Sequence, residues 1–358
     1  DINGLVNLVS TVTITDGDND AVVGQTNTTT ALNLEFADTD PVVAIDTAAT
    51  VGNLSVTEAA GLGIGNEASV AITAPVLTSN AEDGISNINV EYDLALAGSA
   101  ASGLQTTDGG HAITLVVSGD GQTVTGQYDG TNVAFTVSIS GSNVVLVSDV
   151  ALEHDNTQNS GEDNTLDIDG LVNLVSTVTV TDGDNDTAVA TTNTTTALNL
   201  EFVDTDPTVT ITEPATVESL SVVEASLVGG QDSNTITAPT VNASAVDGVG
   251  STNTTFDLAL SGDGTTSLVT TDGNHAISLV LSGDGQTVTG QYEDGGTQTA
   301  FTVSISGSNV VLVSNVALEH ANTPQGAGED NTLDINGLVN LVSTVTITDG
   351  DNDAVVGQ

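Results

Sequence analysis

Ala134-Phe135-Thr136-Val137-Ser138-Ile139-Ser140-Gly141-Ser142-Asn143-Val144-Val145-Leu146-Val147-Ser148 decides the fold class. From Phe135 to Ser140 apolar and polar residues alternate, the period of a half-buried strand. Gly141-Ser142-Asn143 is a turn signal, and Val144–Val147 returns, so the stretch reads as a hairpin. The same fifteen residues recur at Ala300–Ser314. Working outward, Ala112–Val117 and Thr123–Tyr128 flank SGDGQ as a second hairpin, and Leu174–Thr181 and Ala188–Thr192 flank DGDND as a third. Val56–Glu58, Val70–Thr73 and Asn89–Leu96 read as further strands, rich in the Val and Thr that suit pleated surfaces. No amphipathic helix is legible, and Leu171–Leu174 is expected to form a short turn.

The hairpins belong to a repeat array. GLVNLVSTVT starts at Gly4, Gly170 and Gly337, TNTTTALNLEF at Thr26 and Thr192, SGDGQTVTGQY at Ser118 and Ser282, VALEH at Val150 and Val316, and GEDNTLDI at Gly161 and Gly328. DTDP, at Asp38–Pro41 and Asp204–Pro207, marks the joint, because proline drives the residue before it toward an extended conformation. The organisation expected is residues 1–41 as the C-terminal tail of one repeat, 42–207 as a complete repeat and 208–358 as a repeat lacking the counterpart of Thr26–Pro41. About ten strands per repeat make the expected fold class all-β: tandem Ig-like β-sandwich repeats in a linear array. A repeat of this length is large for one Ig unit, so it carries an extra hairpin or joins two small sandwiches.

Composition narrows the function. The chain of 358 residues has 48 Asp and Glu, no Lys or Arg, and no Cys, for a formal net charge of −48. Nucleic-acid binding requires cations to meet phosphates, and phosphoryl transfer requires a Lys or Arg clamp; neither is present. An anionic membrane surface repels such a chain, and no apolar run approaches a spanning length, so no membrane insertion is expected of this segment. Disulfides and thiolate sites are impossible. Disorder is rejected because apolar residues make up 38% of the chain, set in alternating segments that build thin β cores. Carboxylates without a basic partner repel one another, so the folded chain is expected to need cations from solution.

The acidic clusters are the chemically loaded features. DGDND occurs as Asp16/Asp18/Asp20, Asp182/Asp184/Asp186 and Asp349/Asp351/Asp353. Alternate Asp residues in a tight turn aim hard oxygens at one spot, as Ca²⁺ requires, although the turn lacks the glycine and terminal glutamate of an EF-hand and also suits a solvated hairpin. The DTDP joints bring Asp38 and Asp40, or Asp204 and Asp206, before a repeat whose SV-x-EA segment holds Glu58 or Glu224; together these are expected to form a Ca²⁺ clamp. Glu162, Asp163 and Asp167, with Glu329, Asp330 and Asp334, form a third candidate, and Asp83 and Asp247 in xDGxxxxN loops a fourth. Asp120 and Asp284 in SGDGQ serve a β-turn. His111, His154, His275 and His320 lack a metal-binding spacing and read as structural hydrogen-bonding groups. No nucleophile elbow or triad pattern is present, and acids duplicated in every repeat point to structure, so the chain is expected not to be an enzyme.

The run from AFTVSISGSNVVLVSDVALEH through GEDNTLDI to VTVTDGDND and the DTDP link, Ala134–Pro207, resembles the extender repeats of giant type I secreted repeats-in-toxin (RTX) bacterial adhesins and biofilm-associated proteins. The glycine-rich nonapeptide Ca²⁺ repeats of that family are absent. The resemblance implies secretion to the extracellular or bacterial cell surface, Ca²⁺ clamps at joints and a role in attachment or biofilm. Two roles follow as expectations. One is a structural extender whose partners are the neighbouring repeats of the same chain. The other is a self-assembling matrix filament joined to other copies by β-strand donation. A ligand-binding module is disfavoured by the few aromatics: Phe36, Tyr92, Tyr128 and Phe135 read as core residues.

Overall fold

The computed structural model describes residues 2–25, 30–58, 66–154, 165–192, 196–223, 230–320 and 332–358. The protein is all-β: every regular element among the described residues is a strand. Glu162, Asp163, Glu224, Glu329 and Asp330 lie outside the described residues.

The deciding stretch forms the expected hairpin. Asn132–Ser140 pairs antiparallel with Asn143–Ser148 around Gly141, whose φ of +61 favours glycine. Ala112–Val117 and Thr123–Tyr128 form the second hairpin and Val172–Asp182 with Thr187–Thr191 the third. The turn expected at Leu171–Leu174 lies slightly earlier, around Gly170, and the strand begins at Val172.

The chain falls into two compact units. The first comprises Asp1–Thr50, Ile72–Asp93 and Leu174–Thr196. It holds the antiparallel pairs Thr11–Thr15 with Ala21–Gln25 and Val42–Thr47 with Val76–Asn80. The second comprises Val51–Ala71, Leu94–Asn173 and Ala197–Gln358. Segment 42–207 therefore contributes to both units.

Within the second unit the repeat is visible as topology. A six-stranded sheet runs Ala101–Gln105, Ala112–Val117, Thr123–Tyr128, Asn132–Ser140, Asn143–Ser148, Glu67–Ala71. Its counterpart runs Thr265–Val269, Ala276–Leu281, Thr287–Glu293, Thr297–Ser306, Asn309–Ser314, Gly230–Thr237 in the same order, with Thr216–Val217 added at the edge. The core beside this second sheet joins Ile277, Leu279, Val288, Phe301 and Val310 to Leu258 from the strand Val249–Leu260. That strand pairs antiparallel with Val339–Asp349, which in turn pairs with Ala354–Gly357. Strand alternation puts the apolar residue of each pair inward, and burial of that face is what holds such sheets together.

A third, short sheet positions the acidic residues. Leu200–Val203 pairs parallel with Leu54–Thr57 and antiparallel with Thr165–Asp167. Leu198, Leu200, Phe202 and Leu54 are fully buried, and the Phe202 ring lies 4.9 Å from that of Phe135.

Candidate metal centre

Parallel strands end on the same side, so the pairing Val203↔Thr57 places the next two residues, Asp204 and Glu58, side by side. The Glu58 amide donates to the Val203 carbonyl at 2.9 Å. Glu58 is only 1% exposed, and its Oε1 accepts the Leu152 amide at 2.6 Å. Asp204 opens the DTDP link, and its Oδ1 accepts the Thr205 amide at 2.6 Å.

The DGDND turn arrives from the other direction. Val339–Asp349 and Ala354–Gly357 close a tight turn in which the Asp349 amide donates to the Asp353 carbonyl at 3.0 Å. Asn352 holds the left-handed position at φ +81, which Asn tolerates better than most residues. The Asp351 amide donates to Asp247 Oδ2 at 3.0 Å, tying the turn to the xDG loop. Gly350 makes the approach possible, since a Cβ there would lie 2.7 Å from the Asp247 carbonyl oxygen and 2.6 Å from Thr107 Cγ2.

These contacts gather Glu58, His154, Asp204, Asp206, Asp247, Asp349, Asp351 and Asp353 within one unit. Carboxylate oxygens of Asp204, Asp206 and Asp353 lie within 4.8 Å of one another, as do ligand atoms of Glu58, His154 and Asp204. His154 Nδ1 is 3.9 Å from oxygens of both Asp204 and Asp351. Its two ring nitrogens are also 3.0 and 3.3 Å from the carbonyl oxygens of Leu152 and Phe202, so hydrogen bonding orients the ring. His320 makes the same local bond, with Nδ1 3.1 Å from the Leu318 carbonyl.

The electrostatics of the centre run one way. Burial, joined by the like charges of Asp204, Asp247 and Asp351, pushes the Glu58 carboxyl up to about 8 against the lowering effect of the Leu152 amide. Burial and a hydrogen bond shared with Asp351 push Asp349 up to about 8. Burial and a hydrogen bond with Asp353 push Asp204 up to about 7, opposed by His154. Asp247 is raised chiefly by burial. Buried carboxylates crowded together favour protons or a cation over ionisation alone. Oδ1 atoms of Asp247, Asp349 and Asp351 are buried without a hydrogen-bond partner, and Asp349 and Asp351 are each 2% exposed. Unpartnered buried oxygens are costly, and a hard cation is the partner that several converging oxygens suit.

The first unit repeats the construction. Asp184 N donates to Asp83 Oδ2 at 3.1 Å, and Asp186 N donates to Asp182 Oδ1 at 2.8 Å. A Cβ on Gly183 would lie 2.6 Å from the Asp83 carbonyl oxygen. Carboxylates of Asp38, Asp40 and Asp186 come within 4.8 Å of one another, as do those of Asp83, Asp182 and Asp184. A hydrogen bond with Asp182 is the chief cause raising Asp184, to about 6, and one with Asp38 raises Asp186. Asp182 is buried, but the other five are exposed.

The link, the DGDND turn and the xDG loop are separate candidates in the sequence, and the fold brings all three together. It also changes one grouping. Glu58 is expected beside the link preceding its repeat, yet it stands beside Asp204 in the link that ends its repeat, because Leu54–Thr57 pairs with Leu200–Val203. His154 is expected to be a structural hydrogen-bonding group, and its bonds to the Leu152 and Phe202 carbonyls serve that role at the edge of the centre. Recurrence of Asp83 and Asp247 at one place in each repeat was the available signal for the xDG loops.

Asp16, Asp18 and Asp20 form the same turn, with the Asp16 amide donating to the Asp20 carbonyl at 3.0 Å; all three are exposed. Asp167 ends a strand opposite Glu201, and Asp334 Oδ1 accepts the Asn336 amide at 3.3 Å; both are exposed and serve local structure. Asp120 and Asp284 are turn residues, as expected: each Oδ1 accepts a serine hydroxyl and a glutamine amide two residues away. His111 pairs with Asp129 at 3.0 Å and packs on Tyr128, while His275 packs on Tyr292.

A comparison with curated proteins returns no match. The chain matches a protein family described as Domain of unknown function (DUF5801) over residues 42–195 and again over 218–357. It belongs to that family and carries two copies of its domain in tandem.

Proposed function

We propose that this chain is a nonenzymatic structural extender of a secreted bacterial surface adhesin, stiffened by Ca²⁺ at the joints between repeats and projecting a binding domain for attachment or biofilm formation. The observation that carries the reading is the composition of the centre in the second unit. Glu58, Asp204 and Asp206 come from residues 42–207, whereas Asp247, Asp349, Asp351 and Asp353 come from residues 208–358. A cation held by both sets ties one repeat to the next and offsets their repulsion.

The donor set favours Ca²⁺, which takes six to eight oxygens in flexible geometry, over Mg²⁺, which keeps several waters and demands an octahedron. Asp204, Asp206, Asp247, Asp349, Asp351 and Asp353 would hold the ion, and His154 orients the acids around it. Asp38, Asp40, Asp83, Asp182, Asp184 and Asp186 are the matching set in the first unit. The ion supplies positive charge and cross-linking, with no reaction. Tandem near-identical repeats and a charge of −48 without Lys or Arg support the same reading, as does the resemblance of Ala134–Pro207 to RTX adhesin extenders. On this reading each repeat is an Ig-like sandwich and the chain works outside the cell.

Thermal unfolding in millimolar CaCl₂, in EDTA and in MgCl₂ at matched ionic strength tests it. Ligand binding to the folded state alone raises stability by mass action. The expected result is a Tm that falls in EDTA and returns with Ca²⁺ but not with Mg²⁺. An unchanged Tm in EDTA rejects the Ca²⁺ clamp.

A further inference from the structure

The aspartates of the second unit divide into two groups by the repeat that supplies them. Asp247, Asp349 and Asp351 all come from residues 208–358. The Asp351 amide donates to Asp247 Oδ2 at 3.0 Å, and a Cβ on Gly350 would lie 2.8 Å from that same oxygen. Asp353 instead clusters with Asp204 and Asp206 of the DTDP link, their carboxylate oxygens within 4.8 Å of one another. One DGDND turn therefore gives its first two aspartates to the loop of its own repeat and its third to the link.

The first unit divides at the same positions. Asp182 and Asp184 cluster with Asp83, all from residues 42–207, while Asp186 clusters with Asp38 and Asp40 of the preceding link. The local cause is the same in both turns. Asn185 and Asn352, each at φ +81, reverse the chain between the second aspartate and the third.

The loop-side group of the second unit has a requirement of its own. Oδ1 atoms of Asp247, Asp349 and Asp351 are buried and have no hydrogen-bond partner among the described residues, and Asp349 and Asp351 are each 2% exposed. The link cluster does not answer it: Asp204 spends its contacts on the Thr205 amide and Asp353. Buried oxygens of this kind call for a partner, and three anionic ones call for a cation.

We propose that this centre holds two Ca²⁺ ions: an inner ion on Asp247, Asp349 and Asp351, and a joint ion on Asp204, Asp206 and Asp353. The inference rests on the Ca²⁺ reading above and divides its single clamp into two tasks. The inner ion pins the DGDND turn to the xDG loop inside one repeat, and only the joint ion ties one repeat to the next. Charge favours the division. One divalent ion neutralises two of the six charges that these aspartates carry when ionised, and a second relieves repulsion that the first leaves. Ca²⁺ also takes about six to eight oxygens, fewer than six carboxylates offer when each gives both of its own.

Equilibrium dialysis of the full chain against Ca²⁺, with calorimetric titration for affinities, tests it on Asp247→Asn, Asp206→Asn and the double variant. Each substitution keeps one side-chain oxygen and removes one charge. Each single variant is expected to weaken one site by on the order of 10- to 100-fold and leave the other at its native affinity. At a free Ca²⁺ concentration that just saturates the native chain, each single variant then binds one ion fewer and the double variant two fewer. A double variant that binds as many ions as either single variant means one shared ion and overturns the proposal, as does an Asp247→Asn chain that binds Ca²⁺ like the native one. Asp349→Asn probes the inner site from the turn and is expected to lose the same ion as Asp247→Asn. A Tm in EDTA at or above the native value shows that a variant is folded, and a folded Asp349→Asn chain that keeps the ion also overturns the proposal. One shared ion leaves the Ca²⁺ clamp standing, whereas a native chain that binds no Ca²⁺ rejects the clamp and this inference together.

Discussion

The Asp351 amide donates to the Asp247 carboxylate at 3.0 Å across 104 residues of chain, and the Asp184 amide repeats the bond to Asp83 at 3.1 Å across 101. The two bonds dock the second and third DGDND turns on the xDG loops of their own repeats. They turn a local motif into part of a built centre.

Docking leaves no room for a side chain between the two loops. Gly350→Ala places a Cβ within 2.7 Å of the Asp247 carbonyl, and Gly183→Ala places one within 2.6 Å of the Asp83 carbonyl. Each is expected to destabilise by about 1–3 kcal/mol, the usual cost of overpacking. Urea denaturation measures it, with Gly119→Ala, where a Cβ meets nothing within 4 Å, as the control. Equal curves for all three would contradict the docking.

Charge removal at the centre is expected to change sign with the solution. Asp351→Asn relieves repulsion among buried carboxylates, so Tm in EDTA should rise. In CaCl₂ the same substitution removes an ionic oxygen, so Ca²⁺ affinity is expected to fall by on the order of 10- to 100-fold, the scale of damage to a metal site. Calorimetric titration reads the affinity. A uniform drop of Tm in both solutions would mean that Asp351 serves packing alone.

The pH dependence follows from the raised carboxyls. Glu58 and Asp349 sit at about 8 and Asp204 at about 7 in the folded chain, against ordinary values near 4 when unfolded. Between these limits the folded state binds more protons than the unfolded one, so metal-free stability falls as pH rises. The contribution of these three groups is greatest below about 4 and lowest above about 8. Ca²⁺ competes for ionised carboxylates, so its stabilisation grows over the same interval. Melting curves at several pH values, with EDTA and with CaCl₂, should diverge as pH rises; parallel curves would disprove the coupling.

Glu58 separates charge from hydrogen bonding. Glu58→Gln keeps an oxygen for the Leu152 amide and removes the ionisable carboxyl, so metal-free Tm near pH 8 is expected to rise. Glu58→Ala leaves the buried Leu152 amide without its acceptor, at a cost of about 1–3 kcal/mol. Chemical denaturation of the pair in EDTA distinguishes them, and an equal loss in both would show that side-chain volume is what matters.

Phe202→Ala removes a fully buried ring 4.9 Å from Phe135 and is expected to cost about 3–5 kcal/mol. Phe36→Ala, in the identical eleven-residue context, is expected to leave stability of the monomer within about 0.5 kcal/mol. Comparable losses would mean that Phe36 is buried in solution.

Residues alone were enough for the strands. Alternation in Phe135–Ser140 and the glycine at 141 specify a hairpin locally, because a period of two with a φ-permissive turn has few other solutions. The same local logic assigned Asp120 and Asp284 to turns, since their bonds span two residues. It also found the oxygen-rich DGDND turns and the DTDP links.

The joining of these pieces was decided by tertiary structure. Asp204 meets Glu58 because two short strands pair in parallel, and nothing local specifies which strand is chosen. Asp247 meets Asp351 because Val249–Leu260 pairs with Val339–Asp349 in a register that carries the loop to the turn. The clearest case is TNTTTALNLEF, whose alternation sets Leu, Leu and Phe on one face of an extended chain, although only the second copy enters a strand there, Leu200–Val203, and residues 32–36 of the first are not in strand form. Whether that face is buried, as at Phe202, or exposed, as at Phe36, depends on the walls around it, because burial belongs to the surroundings and is written in no single segment of chain.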